Sequence, residues 1–446
     1  MKNLEKLFIF MLCWLMLLLP LSGCGPRDAG PLRICLDLDL NAASATKAKF
    51  EFESFMKTIA GLGGPEEVEI EFVPLEGEER MGALTRLRTE IMGGNAPDLF
   101  IVNSGWQDDL IFPYPEKAAR NGIFLNLDEL MEKSRFTDWG RQVKPVLDAG
   151  KTEKGQYLVP LTYQFYMTCF LKEDVSHTPS KDTTWEEIAA SDSVIDKASV
   201  CFWGGPEQKM QSTGDRTVHA TLGKLADYDK EELLFTADQL KERIHRNFDL
   251  MDEADGGGFD DAPVYYQALV GPGFTGHAAS FYLHTDTVDE STPLTYFPLY
   301  SRDGGVTAAV RSYAAISAGS RHKEEAFFVL DYLMGLESQQ GEGFYNQFLA
   351  GESTFLGFPM DSRLMSEEYP IQKAGGTNWS LTPENFEGLC AVRDVITAVN
   401  FFDTVTFGVY NLESECLDVH TGYKEGDIDS LIDETCRVLA MSLQES

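Results

Sequence analysis

Two kinds of side chain in this sequence are placed where they can do chemistry: indoles at the ends of predicted strands, and carboxylates close by. Trp106 follows a continuous apolar run at 99–102, Asp37 and Asp39 close the run at 32–38, and Trp203 sits where a short strand enters Gly204-Gly205. Aromatic faces stack on the C–H faces of a pyranose, while carboxylates, amides or guanidinium groups grip its hydroxyls. Trp106, Trp203 and Trp379 are the candidate platforms, with core packing as the alternative for each. Enzyme motifs are missing: there is no Gly-x-Ser-x-Gly, no His-Glu-x-x-His and no P-loop. The seven histidines are scattered, and His277 and His284 lack the third ligand that a metal site needs. A glycosidase needs only two acids distant in sequence, so motifs leave that chemistry open.

Two further patterns lose to simpler readings. Gly271-Pro-Gly-Phe-Thr-Gly276 fits G-x-G-x-x-G, but Pro272 offers no N–H to a pyrophosphate. Residues 208–261 read as a helical region, closed by the acidic, glycine-rich run 252–261, which lacks the ligand spacing of an EF-hand and reads as a solvated loop. No cofactor is expected.

The elements that must position these residues follow from periodicity. Residues 32–38 read as a strand, Ala48, Phe52, Phe55 and Ile59 as a helical stripe, and 68–73 as a second strand. Met81, Leu84, Leu87 and Ile91 form the next stripe. Gly93-Gly94 supply a left-handed stop, and Pro97 keeps the helix from resuming. The run 99–102, apolar throughout, is a strand covered on both faces. This β-α-β-α-β order predicts an α/β fold with a mostly parallel sheet flanked by helices. Ligands of such sheets bind beyond the carboxyl ends of the strands, where Asp39 and Trp106 fall.

Lys2 and Lys6 precede an apolar stretch at 7–19, too short for a membrane span and typical of a secretory signal over 1–23. The formal net charge is −34. Such acidity excludes nucleic acid and electrostatic adhesion to anionic lipid as partners. Besides Cys13 and Cys24, six cysteines are widely spaced and form no C-x-x-C, so free thiols are the favoured reading over disulfides.

Several stretches together resemble the family 1 extracellular solute-binding proteins of ABC importers, most of which capture sugars. They are the helix, glycine, Pro97-Asp98 and strand order; the segments 122–130 and 154–160; Thr183-Thr-Trp-Glu-Glu187; the small-residue strands at 306–318 followed by Lys323-Glu-Glu-Ala326; and the terminal helix after Gly422. Cys169-Phe-Leu-Lys172 departs from the family's Tyr-Asn-Lys triplet. Leu21-Ser-Gly-Cys24 resembles a bacterial lipobox, which implies cleavage before Cys24 and lipid on it. The resemblance implies a two-lobe, periplasmic-binding-protein-like fold with a cleft between the lobes. A linker at 24–30 would lead to a first lobe at 31–165 plus 300–345 and a second at 166–299 plus 346–446. It further implies Tyr163 and Gln164 at the first crossing, Phe274 or Tyr282 near the cleft, and Arg311 at the return crossing. Asp39, Gln164 and Arg311 are the expected polar grips, and Asp98 is a turn residue. The implied protein is a monomeric, lipid-anchored receptor on the outer face of the membrane that passes a sugar to permease subunits. The alternatives are a lipoprotein of the same fold with a sensing or adhesion role and, less favoured, a glycoside hydrolase.

Overall fold

The computed structural model describes residues 30–38, 42–103, 109–172, 175, 177–200, 217–253, 294–340, 357–365 and 383–445. Strand β1 (Leu32–Leu38), helix α1 (Ala42–Gly61), strand β2 (Val68–Phe72), helix α2 (Gly77–Met92) and strand β3 (Leu99–Asn103) follow the order that periodicity predicts. β1 lies between β2 and β3 and runs parallel to both. Every residue of β3 is buried, as a strand covered on both faces requires. Phe52, Phe55 and Ile59 of α1 and Leu84 and Leu87 of α2 close the same core.

One stripe position differs from expectation. Met81 is 47% exposed, while its neighbour Arg80 is buried. The cause is an ion pair described below, which draws the guanidinium inward. Helix α2 ends as expected, with Gly94 left-handed at φ +70° and Asn95 N–H donating to Glu90 O at 2.9 Å. Asp98 then accepts from Arg33 N–H at 2.9 Å and from Ser320 Oγ at 2.7 Å, so this turn residue ties three segments together.

After β3 come helix α3 (Pro115–Arg120) and strands β4 (Val159–Pro160), β5 (Thr162–Tyr163) and β6 (Met167–Leu171). Helix α4 (Trp185–Ala189) starts in a capping box between Thr184 and Glu187. Its Trp185 is buried beneath Arg243, whose Cζ lies 3.7 Å from the ring centroid. The helical region expected over 208–261 is interrupted among its described residues. A single turn, α5 (Val218–Thr221), leads into the hairpin β7 (Ala226–Asp227) and β8 (Glu232–Leu233), and only then into α6 (Ala237–Glu253). The Asp227 carboxylate accepts the N–H groups of Asp229 and Lys230, at 3.0 and 3.1 Å, which bends the chain into a turn.

Later elements include β9 (Leu294–Pro298), β10 (Val306–Val310), β11 (Ser312–Ile316), α7 (Lys323–Met334), β12 (Phe358–Pro359), α8 (Pro383–Arg393), β13 (Ile396–Phe401), α9 (Thr404–His420) and α10 (Ile428–Glu445). One five-stranded sheet has the order β2-β1-β3-β11-β4. In it β11 runs antiparallel to β3, with Ser312 opposite Asn103 and Ile316 opposite Leu99. The other described strands form two-stranded pairs: β10 parallel to β13, β9 antiparallel to β6, β12 antiparallel to β5, β7 with β8, and residues 151–152 antiparallel to 155–156. Helices α6, α9 and α10 share a separate core that includes Ile244, Val409, Leu412 and Ile432. Among the described residues no helix is long and apolar enough to cross a membrane.

Candidate functional site

Residues 159–164 lie antiparallel to residues 309–314. Tyr313 pairs with Pro160, Leu161 N–H donates to Ser312 O at 2.8 Å, and Gln164 and Ala309 exchange backbone hydrogen bonds at 2.9 and 2.8 Å. Arg311 is the one residue between β10 and β11. Before it the chain pairs with β13, and after it with β3. A third segment arrives as β13 ends, and Phe402 N–H donates to Val310 O at 2.8 Å.

Strand alternation sorts the side chains here. Val306, Ala308 and Val310 belong to the main apolar core. Thr307 and Ala309 face the other way, and Gln164 pairs with Ala309. Gln164 and Thr307 are buried, and neither Gln164 Oε1 nor Thr307 Oγ1 has a hydrogen-bond partner among the described residues. Unpaired buried oxygens are uncommon enough to require a reason. Arg311 is fully buried, with its guanidinium 5.1 Å from the Phe402 ring. Tyr163 is also fully buried, tilted against Phe358 at 5.6 Å and Phe165 at 6.2 Å, and burial lifts its phenol well above the usual range.

The carboxyl edge of the sheet is braced from behind. Asp37, near the end of β1, pairs with Arg80 through two contacts, Nη1 to Oδ1 at 2.8 Å and Nη2 to Oδ2 at 3.2 Å. Arg80 also donates to Pro74 O at 3.0 Å and to Asp109 O at 2.6 Å. One buried guanidinium thus joins β1, the start of α2 and the chain just beyond residues 104–108. At the end of β3, Asn103 accepts from Ser312 Oγ at 2.9 Å. Tyr313 packs edge-on to Phe401 at 5.4 Å, and burial together with the Asp37 and Asp403 carboxylates raises its phenol pKa.

Of the residues singled out by sequence, Tyr163, Gln164 and Arg311 come together at this junction. Asp39, Trp106, Trp203, Phe274, Tyr282, Trp379 and the lipidation candidate Cys24 lie outside the described residues. Sequence reasoning missed a group beside Arg311. His219 is boxed by Tyr166 at 5.6 Å, Tyr410 at 5.8 Å and Phe402 at 6.1 Å. Next to it, Asp403 caps α9 by accepting Val405 and Thr406 N–H at 3.0 Å each, and it also accepts the Tyr228 hydroxyl. Burial pushes the Asp403 carboxyl up to about 6. An aspartate before Thr404-Val-Thr406 is a readable helix start. Nothing in sequence brings it to Tyr228.

The junction gathers a buried guanidinium, an amide, a hydroxyl and aromatic rings. Among the described residues no three His, Cys, Asp or Glu side chains are grouped so as to hold a metal ion.

This is the architecture of a two-lobe, periplasmic-binding-protein-like fold. Residues 51–340 match the bacterial extracellular solute-binding proteins, and the chain belongs to that family. No curated protein matches it. Among solved structures it is similar to the ABC substrate-binding protein Lmo0181 of Listeria monocytogenes in complex with cycloalternan, at 13% identity and TM-score 0.50 over 94% of this chain and 100% of that one. A periplasmic oligogalacturonide-binding protein of Yersinia enterocolitica matches at 14% identity and TM-score 0.50, over 93% and 99% of the two chains. A de novo designed cysteine esterase matches at 14% identity and TM-score 0.53, over 93% and 98%. At these identities the likeness is one of fold.

Proposed function

We propose that this solute-binding protein is a lipid-anchored receptor that takes up a mono- or oligosaccharide between two lobes and hands it to the permease of an ABC importer. The observation that carries the reading is the junction itself: Gln164, Thr307 and Arg311 put buried polar groups where residues 159–164 and 309–314 run side by side. The lobes are 31–165 with 300–345 and 166–299 with 346–446. The change of strand partner at Arg311 supports an exchange there, somewhat past residue 300. Hinge bending of the paired crossings brings the lobes together over the ligand. Indoles at Trp106, Trp203 and Trp379, with Phe274 and Tyr282, supply the stacking faces, and Asp39, Gln164 and Arg311 the polar grips. Tyr163 sets the crossing that carries Gln164. Lipid on Cys24 keeps the receptor at the extracytoplasmic face of the membrane. The sugar-binding names of the Listeria and Yersinia neighbours favour an oligosaccharide. The family consists of binding proteins, so the esterase likeness adds no reaction.

Thermal unfolding of the chain lacking residues 1–24, against a panel of mono- and oligosaccharides, amino acids and peptides, tests this. A ligand at a hundred times its Kd adds about 2.7 kcal/mol. We expect a shift with one sugar class and its loss in Trp106→Ala. No shift across the panel would favour a sensing or adhesion lipoprotein, and consumption of a sugar would favour a hydrolase.

A further inference from the structure

Helix α3 belongs by sequence to the region of β1, β2 and β3, yet its side chains end on the other region. Lys117 is buried, with Nζ 2.8 Å from Glu231 Oε1, and it donates to Leu443 O at 2.8 Å. Glu116 Oε1 meets Lys224 Nζ at 2.6 Å, and Arg120 Nε meets Asp229 Oδ1 at 2.5 Å. Tyr114, just before the helix, donates to Ser442 Oγ at 2.7 Å. The Tyr228 ring lies near two of the cations, 5.7 Å from Lys224 Nζ and 6.0 Å from Arg120 Cζ.

The turn that presents Asp229 and Glu231 is itself unusual. Among the described residues Glu231 is the one non-glycine with positive φ, at 54°. A left-handed glutamate is uncommon and persists where its surroundings hold it. Here that conformation delivers the carboxylate to Lys117.

We propose that α3 and the 227–232 turn form an interlobe clasp, in which the Lys117–Glu231, Glu116–Lys224 and Arg120–Asp229 pairs bias the empty receptor toward closure. The idea rests on the two-lobe reading above. Opening about the crossings would separate all three pairs at once. Each pair has at least one solvent-facing partner, so each shifts the open-to-closed ratio by about five-fold at most. That is enough to set a resting balance and too little to lock the cleft. Helix α3 starts at Pro115, shortly after Trp106 in sequence, so the clasp is joined to the proposed binding edge by a short stretch of chain.

The test is energy transfer between dyes clicked onto azidophenylalanine at Met92 and Tyr423, which are 80% and 87% exposed and lie in the two regions. The full chain is used in detergent with no sugar added. We expect Asp229→Lys combined with Glu231→Lys to change the transfer efficiency, and 0.5 M sodium chloride to move the native protein the same way. The swap Arg120→Asp with Asp229→Arg should move it back toward the native value. If the double reversal unfolds, Glu231→Gln should give a smaller change in the same direction. Unchanged efficiency in folded variants and in salt overturns the clasp. Sugar binding plays no part in this readout, so the clasp and the sugar-receptor reading fail separately.

Discussion

The sheet around β1, β2 and β3 and the helical region around α6, α9 and α10 bury their chains by different means. In the sheet, in-register ladders pair the backbone, and the interior between them is almost wholly apolar, from Leu36 through Phe100 and Ile101 to Ile316. In the helical region long helices are joined by turns and two-residue strands, and there buried side chains satisfy backbone groups that no ladder reaches. Asn400 accepts Leu225 N–H at 3.1 Å and donates to Gly223 O at 2.8 Å, while Glu413 accepts Val218 N–H at 2.9 Å. Every buried amide needs a partner, and where strands are two residues long the partner must be a side chain. The buried polar side chains of the second region therefore follow from the turns and two-residue strands that join its helices. They are not in themselves a sign of chemistry.

Substitutions can break or sharpen this contrast. The largest effect is expected from Phe100→Ala, which removes a fully buried ring packed edge-on to Phe112 at 5.0 Å. A loss of about 4 kcal/mol is expected in urea unfolding. A value under about 1 kcal/mol would show that the sheet core is not tightly packed. In the helical region Asn400→Leu adds apolar bulk, yet we expect it to cost about 2–3 kcal/mol by orphaning Leu225 N–H and Gly223 O. A neutral result would erase the distinction between the two regions.

The prediction with the most definite sign concerns Asp403. Burial raises its carboxyl from an ordinary value near 3.8 to about 6, so the folded state keeps a proton that the unfolded chain gives up earlier. Stability contributed by this group is complete below about pH 4 and is lost as pH rises to about 6. Asp403→Asn keeps an oxygen for the helix cap and removes the titration. Its unfolding midpoint, followed from pH 4 to 7, should lack the part of the decline that the native protein shows. Parallel pH profiles would mean that Asp403 titrates as an ordinary exposed acid.

The contrast also explains what was legible. The β-α-β-α-β start could be read because parallel strands covered on both faces leave unbroken apolar runs, and Gly94 and Pro97 mark a stop that few other residues can make. Thr184 and Glu187 have the Thr-x-x-Glu spacing of the capping box that they form. The 208–261 stretch misled because helical composition does not report a turn made by the Asp227 carboxylate. Met81 misled because an amphipathic stripe does not reveal that the neighbouring arginine has an acid to meet.

By itself, then, the sequence determined the alternation of helices and strands in the first region and the family. Periodicity and turn chemistry are local, and they survive without knowledge of distant partners. Only the tertiary structure decided that Arg80 braces Asp37, that Arg311 lies over Phe402 beside the His219 box, and that Asp403 meets Tyr228. It also decided that α3 grips the opposite region through Lys117, Glu116 and Arg120. These partners are separated by tens to hundreds of residues, and an ion pair or a buried hydroxyl has no period along the chain by which it could be foreseen.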